Sequence, residues 1–136
     1  MILSDEEREA AFQNTLAEQL GMKLLEASPG RVVISMPVDH RTHQPLGLLH
    51  GGASVALAET AASMGGWMLV ADEGKTVVGQ EINANHLRSV RSGLVKAIAE
   101  CLHQGKSSQV WEIKIYDEKE RMLCISRCTL AVIELR

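Results

Sequence analysis

The sequence predicts an α+β fold in which one antiparallel β-sheet packs against a long central helix. Three observations lead to this prediction. An uninterrupted apolar run from Gly51 to Ala71 lacks proline and is rich in alanine, leucine and methionine, which favour helix. After Gly74 the sequence consists of strand-like segments joined by short turns. Before the run, two more such segments flank a proline- and glycine-containing turn at 28–31, as in a hairpin.

The central helix carries a single ionisable side chain, Glu59. A helix that is apolar on every side is expected to be buried on every side. A lone carboxylate there costs several kcal/mol unless it is paired or neutralised. Glu59 is therefore either a structural residue hydrogen-bonded to a neighbouring strand or a catalytic carboxylate. A membrane span is not favoured, because the run contains Glu59 and has no flanking basic cluster.

The other elements follow from local signals. Ser4 to Glu7 forms a capping box, which predicts a helix on the domain surface that continues to about Leu20 and ends at Gly21. The hairpin before the central helix and the strands after it are predicted at Met22–Ala27, Val32–Val38, Thr76–Leu87, Leu94–Leu102, Val110–Tyr116 and Met122–Ile133.

Composition narrows the class of protein. The 136 residues predict one domain, 1–136, and 46% hydrophobic with 23% charged residues is typical of a soluble globular protein. A net charge of −3 argues against a general partner such as nucleic acid or an anionic membrane. The first residues show no secretion signal, and three cysteines do not form a disulfide framework. We therefore expect a cytoplasmic protein with reduced thiols, no metal and no cofactor.

Three segments together resemble the hotdog-fold acyl-CoA thioesterases. They are Gln44–Gly52 followed by Glu59, then Val77–Gly79, then Asn83–Arg88. The similarity is strongest to the branch that acts on aryl-acyl thioesters, which includes the 1,4-dihydroxy-2-naphthoyl-CoA thioesterases of menaquinone synthesis, and it extends from about Met36 to Ile133. The resemblance implies a hotdog fold, in which the sheet wraps around the central helix. The acidic N-terminal helix departs from the family, as does Leu46, where phenylalanine is common.

The resemblance also implies roles for individual residues. Glu59 is the nucleophile or the general base for water, and the Gly51 N–H polarises the thioester carbonyl. Gln44 and His50 orient the thioester and the water. His86 and Arg88, which belong to the matched motif, are the candidates for binding the phosphates of coenzyme A. Helix spacing, and not the resemblance, suggests Ser63, which lies one turn beyond Glu59 on the same face and can hydrogen-bond the substrate or the water. Ser89, Arg91 and Lys106 are further candidates for the phosphates that do not rest on the resemblance.

Each of these residues also has a structural interpretation. His50 can be a helix cap, Ser63 can bond to its own helix backbone, and the basic residues can be solvated surface groups. Gly65 and Gly66 either allow a close approach to a strand or leave room for an acyl group. Alternative functions are a non-catalytic acyl-CoA-binding domain, or a proofreading thioesterase acting on an aryl-loaded carrier protein. A hotdog hydratase would need an Asp–His pair, and no such motif is found.

The spacing of the site residues bears on assembly. Gly51 and Glu59 are eight residues apart, about 12 Å along a helix at a rise of about 1.5 Å per residue. A thioester carbon must lie about 3 Å from both the nucleophile and the oxyanion donors. A second, antiparallel helix brings its Glu59 to this Gly51, so we expect a homodimer with shared sites. The family likeness implies a tetramer of two dimers.

Overall fold

The computed structural model describes residues 2–135, which form three α-helices, a short 3₁₀-helix and six strands. The helices are α1 (Asp5–Ala10), α2 (Leu16–Gln19) and α3 (Gly51–Val70), and the 3₁₀-helix Ala71–Glu73 follows α3. The strands are β1 (Lys23–Ser28), β2 (Arg31–Pro37), β3 (Lys75–His86), β4 (Leu94–Gln104), β5 (Ser108–Tyr116) and β6 (Met122–Glu134). Each predicted strand and the central helix are confirmed, with ends that differ by a few residues.

The six strands form one antiparallel sheet in the order β1-β2-β4-β5-β6-β3. Strands β4 to β6 are a meander, as predicted. Strand β3, which follows α3 directly, pairs with β6 at the far side of the sheet, so β3 and β1 are the two edges. Helix α3 thus connects the β2 side of the sheet to its opposite edge, and it packs against five of the six strands. The predicted α+β architecture is confirmed.

Two glycines set the distance between α3 and the sheet. A β-carbon on Gly65 would collide with the indole ring of Trp111, and one on Gly66 would lie 2.5 Å from Leu130 Cδ1. Gln109, which is 0% exposed, donates from Nε2 to the Gly66 carbonyl (3.2 Å) and accepts from Trp111 Nε1 (2.8 Å). The glycines therefore serve a close approach to strands, and they leave no space for an acyl group.

The expectation that α3 is buried on every side is wrong for the single chain. The sheet covers one face, and a stripe on the opposite face is only half-buried because no strand lies over it. The stripe, hereafter the α3 stripe, consists of Val55, Ala56, Glu59, Thr60, Ser63, Met64 and Trp67. Glu59 is therefore a half-buried carboxylate in one chain.

The N-terminal segment also differs from its prediction. The capping box at Ser4 is confirmed, but α1 ends at Ala10, well before Leu20, and Asn14, with a φ of +60°, separates it from α2. Thr15 then caps α2 by accepting from the Glu18 N–H (3.4 Å). This break turns Phe12 inward, where it is 7% exposed, so the segment contributes to the core as well as to the surface.

The close approach of α3 to the sheet generates a stability prediction. Gly65→Ala should lower the free energy of unfolding by about 2 kcal/mol, since overpacking a filled core outweighs the gain in helix propensity. Val55→Ala, in the half-buried α3 stripe, is the control and should change stability much less. Urea unfolding measures both, and a Gly65→Ala protein as stable as the wild type would show that the contact with Trp111 is not tight.

Candidate active site

His50 caps the N-terminus of α3. Its Nδ1 accepts a hydrogen bond from the Gly52 N–H (2.7 Å), so the capping interpretation of His50 is confirmed. A ring nitrogen that accepts must lack a proton, and the neutral imidazole then carries its proton on Nε2, where it is available as a donor. Within residues 2–135 the Gly51 N–H has no acceptor. The helix start therefore offers donors at the positive end of the α3 dipole.

The loop before α3 is held by side chains rather than by regular structure. Gln44 Oε1 accepts from the Leu46 N–H (2.5 Å), while no acceptor in the described part of the chain takes up its side-chain NH₂. Arg91 Nη1 donates to the Leu46 carbonyl (3.2 Å), and the Arg91 carbonyl lies 2.8 Å from His43 Nε2. Arg91 thus has a structural role in this loop. The Gln44 amide group remains free to donate to a ligand.

Glu59 lies on the α3 stripe, with its carboxylate against the backbone of Gly79 in β3. No donor among residues 2–135 hydrogen-bonds to this carboxylate, so the structural interpretation of Glu59 finds no support there. Thr60 donates from Oγ1 to the Ala56 carbonyl (2.6 Å), the helix back-bond considered for Ser63. Ser63 makes no such bond within the described residues, and it faces the same groove as Glu59.

This groove, hereafter the Glu59 groove, has a volume of about 580 Å³ and a largely apolar lining. Phe12 and Leu16 of the N-terminal segment line it together with Met64 and Trp67 of α3. The sequence did not predict the contribution of Phe12 and Leu16, because the N-terminal helix was expected on the surface. The available signal was composition, since Phe12 and Trp67 are half of the chain's four aromatic residues (two Trp, one Tyr, one Phe).

Cys128, on β6 behind Glu59, is not a competing nucleophile. Burial, with smaller contributions from the negative charges of Glu59 and Glu81, raises the pKa of this thiol to about 12. The thiol therefore stays protonated at neutral pH, and only a thiolate is a good nucleophile. Cys128 is thus set aside, and the Glu59 carboxylate remains a candidate for the reacting group.

The candidate residues fall into two separate groups within one chain. His50 and Gly52 line a second groove of about 250 Å³, whereas Glu59 and Ser63 line the Glu59 groove. Leu16 and Ala56 are common to both, so the two grooves are neighbours along α3. Gln44 and Gly51 line neither. A single chain thus carries two half-sites rather than one closed constellation.

The candidate phosphate ligands are also divided. His86 ends β3, and its imidazole covers Gly51, where an added β-carbon would lie 2.9 Å from Nε2. Arg88 and Ser89 follow in the exposed loop after β3. Lys106 lies on the turn after β4, at the other end of a strand about 33 Å long at about 3.3 Å per residue. One chain therefore brings together His86, Arg88 and Ser89, but not Lys106.

Within residues 2–135, no three His, Cys, Asp or Glu side chains are grouped so that they can hold a metal ion. None of the helices in this range combines the length and the hydropathy that crossing a bilayer requires.

Comparison with known proteins identifies the family of this chain. The model of the thioesterase superfamily matches residues 46–124, more than half of the chain, and the chain therefore belongs to that superfamily. The protein is an enzyme that hydrolyses thioesters. The resemblance noted from Gln44–Gly52, Glu59 and Asn83–Arg88 is confirmed.

Close relatives agree with this assignment. The chain is 52% identical over 121 residues to a 1,4-dihydroxy-2-naphthoyl-CoA hydrolase of Listeria monocytogenes, covering 89% of this chain and 98% of the relative. It is also 52% identical over 124 residues to the proofreading thioesterase EntH of Klebsiella pneumoniae, covering 91% and 90%. The crystal structure of a thioesterase from Haemophilus influenzae superposes with a TM-score of 0.94 at 47% identity, covering 99% and 94%. The sheet and central helix thus form a hotdog-type fold.

Proposed function

We propose that this thioesterase hydrolyses aryl-acyl-CoA thioesters, with Glu59 as the reacting carboxylate. The observation that carries the proposal is the position of Glu59 at the edge of an apolar, aromatic-lined groove, without a hydrogen-bond donor among the described residues. A carboxylate that is already paired is a weak base and nucleophile, whereas an unpaired one is available. A non-catalytic binding domain would have no use for such a group.

Donors at the start of α3 supply the second requirement of thioester hydrolysis. As the tetrahedral intermediate forms, negative charge develops on the carbonyl oxygen, and fixed N–H groups stabilise it. The free Gly51 N–H, the His50 Nε2–H and the Gln44 side-chain amide are suited to this role. The helix dipole adds to their effect.

Two routes for the carboxylate are compatible with this arrangement. As a general base, Glu59 takes a proton from water while the water oxygen bonds to the carbonyl carbon. The C–S bond then breaks, and the proton passes to the leaving sulfur. As a nucleophile, Glu59 bonds to the carbonyl carbon and expels the thiolate, and water then hydrolyses the resulting anhydride. Both routes give the free acid and the thiol.

The site is best completed by a second copy of the chain. Gly51 begins α3 and Glu59 lines the Glu59 groove, so the two residues are about 12 Å apart along the helix in one chain. Strand β3 is a sheet edge of twelve residues with unpaired backbone groups, and α3 packs beside it. A partner pairing antiparallel along β3 would also cover the α3 stripe, and its Glu59 would face this chain's Gly51. The family likeness extends this dimer to a tetramer.

The coenzyme A moiety is assigned to the surface around His86, Arg88 and Ser89. These side chains are exposed and lie next to the α3 N-terminus, so a phosphate there would leave the thioester end close to Gly51. Guanidinium groups bind phosphates with charge-assisted hydrogen bonds. Lys106 can join this surface only from another subunit. The enzyme needs no metal or other cofactor in this scheme, and we expect it to act in the cytoplasm.

The acyl group can be carried by coenzyme A or by a carrier protein, and the chain is similar to two kinds of relative that bear on this choice. The Listeria relative supports a naphthoyl-CoA substrate and, together with the family resemblance, a role in menaquinone synthesis. The relative named as a proofreading thioesterase is compatible with the alternative substrate, an aryl group on a carrier protein. The aromatic lining from Phe12 and Trp67 favours an aryl acyl group in either case.

The role of Glu59 is tested by Glu59→Gln, which keeps the shape of the side chain and removes its charge. We expect kcat to fall at least ~10²-fold, since the base or nucleophile is lost, while the fold and the binding of acyl-CoA persist. Glu100→Gln, on the exposed face of β4, is the control and should leave kcat unchanged. A Glu59→Gln enzyme with a near-normal kcat would end the catalytic assignment.

The proposed acyl group is tested by comparing substrates. Benzoyl- and naphthoyl-CoA should give a kcat/KM at least ~10-fold above that of palmitoyl-CoA, because flat rings stack in the lining while a long chain extends beyond it. The same aryl groups on a carrier protein provide the comparison for the second carrier. Equal kcat/KM for palmitoyl- and naphthoyl-CoA would contradict the aryl preference.

A further inference from the structure

Gly79 is the residue of β3 that touches the Glu59 carboxylate. A β-carbon built on Gly79 would overlap Glu59 Oε2, closer than real contacts allow. It would lie 3.1 Å from Glu59 Cδ and 3.7 Å from Cγ. The backbone φ of Gly79 is outside the left-handed region, so its conformation does not require glycine. The Glu59 carboxylate occupies the space that a β-carbon at this position would take, so a larger residue here would displace the carboxylate.

The strand is irregular at this contact. Gly79 pairs with Leu130 and Glu81 with Thr129, so Gln80 is an extra residue on β3 and forms a bulge. Bulges bend a strand and occur next to functional sites, where they redirect the chain. Val77 and Gly79 face α3, whereas Val78 between them points to the other face of the sheet, where it is 47% exposed.

We infer that Gly79 is a positioning residue for Glu59: its bare backbone is the surface that fixes the carboxylate within the groove. This inference rests on the proposed function of Glu59. The carboxylate has no hydrogen-bond donor among residues 2–135, and its packing against the Gly79 backbone is a contact that limits where it can lie in one chain. A methyl group at residue 79 pushes the carboxylate away from the reacting carbon while the oxyanion donors of α3 stay in place.

The kinetic test is Gly79→Ala. A displacement of about 1 Å in a reacting group can cost ~10² in rate, so kcat should fall by that order. KM for acyl-CoA should stay within about threefold of the wild-type value, because the substitution displaces Glu59 and leaves His86, Arg88 and Ser89, which are assigned to coenzyme A, unaltered. Val78→Ala, next in sequence but on the opposite face, is the matched control and should retain kcat. A Gly79→Ala enzyme with wild-type kcat would overturn the inference.

A second background tests whether the effect passes through Glu59. Aspartate places its carboxylate about 1.5 Å further back, one carbon–carbon bond shorter than glutamate, and has room for the alanine methyl. The kcat of Glu59→Asp/Gly79→Ala should therefore equal that of Glu59→Asp alone, instead of showing the product of the two losses. Independent, multiplying losses would mean that Gly79 acts elsewhere.

A stability cycle keeps the inference testable if Gly79→Ala folds poorly. Any loss of stability from Gly79→Ala should disappear in the Glu59→Ala background, where the clashing carboxylate is absent; a loss that persists there would contradict the contact. Failure of the underlying function looks different. If Glu59→Gln retains activity, the catalytic proposal falls, whereas loss of activity in Glu59→Gln with none in Gly79→Ala removes only the positioning role.

Discussion

The close packing of α3 on the sheet is the constraint on which the rest of the structure depends. Gly65 admits the indole of Trp111, and Gln109 ties that indole to the carbonyl of Gly66. A buried amide that is hydrogen-bonded through both its nitrogen and its oxygen tolerates little movement of either partner. The height and rotation of α3 over the sheet are therefore set near its C-terminal half, and the position of Glu59 two turns earlier follows from them.

This packing explains why each chain carries two half-sites. The sheet covers one side of α3. Along residues 53–64, which lie between the two glycine pairs of the helix, a second side of α3 therefore faces a groove. The N-terminal segment closes only part of that groove, through Phe12 and Leu16, and Glu59 remains half-buried. The donors at Gly51 lie at the N-terminus of the same helix, outside the Glu59 groove. One rigid helix thus separates the proposed reacting carboxylate from the proposed oxyanion donors, and a second copy of the helix is the simplest way to bring them together.

The sequence predicted those features that depend on local patterns. The strands and the range Gly51–Val70 follow from alternation and from an unbroken helix-forming run, which neighbours in space only reinforce. The break at Asn14 was missed because the capping box and the helix propensities predict one continuous helix, which a single asparagine in the left-handed region interrupts. The half-burial of Glu59 was missed because apolar composition cannot tell contact with the chain's own sheet from contact with another subunit. Lys106 was grouped with His86, Arg88 and Ser89 as a phosphate ligand because the charge of a residue does not indicate where it lies in the fold.

The measurement closest to the central claim is complementation between inactive chains. Co-refolding equal amounts of Glu59→Ala and Gln44→Ala should restore about one quarter of wild-type activity, because each mixed dimer has one intact shared site. Mixing wild type with the double variant should also leave about one quarter, since no mixed dimer then has an intact site. If each chain carries its own site, the first mixture stays inactive although heterodimers form, and the second retains about one half.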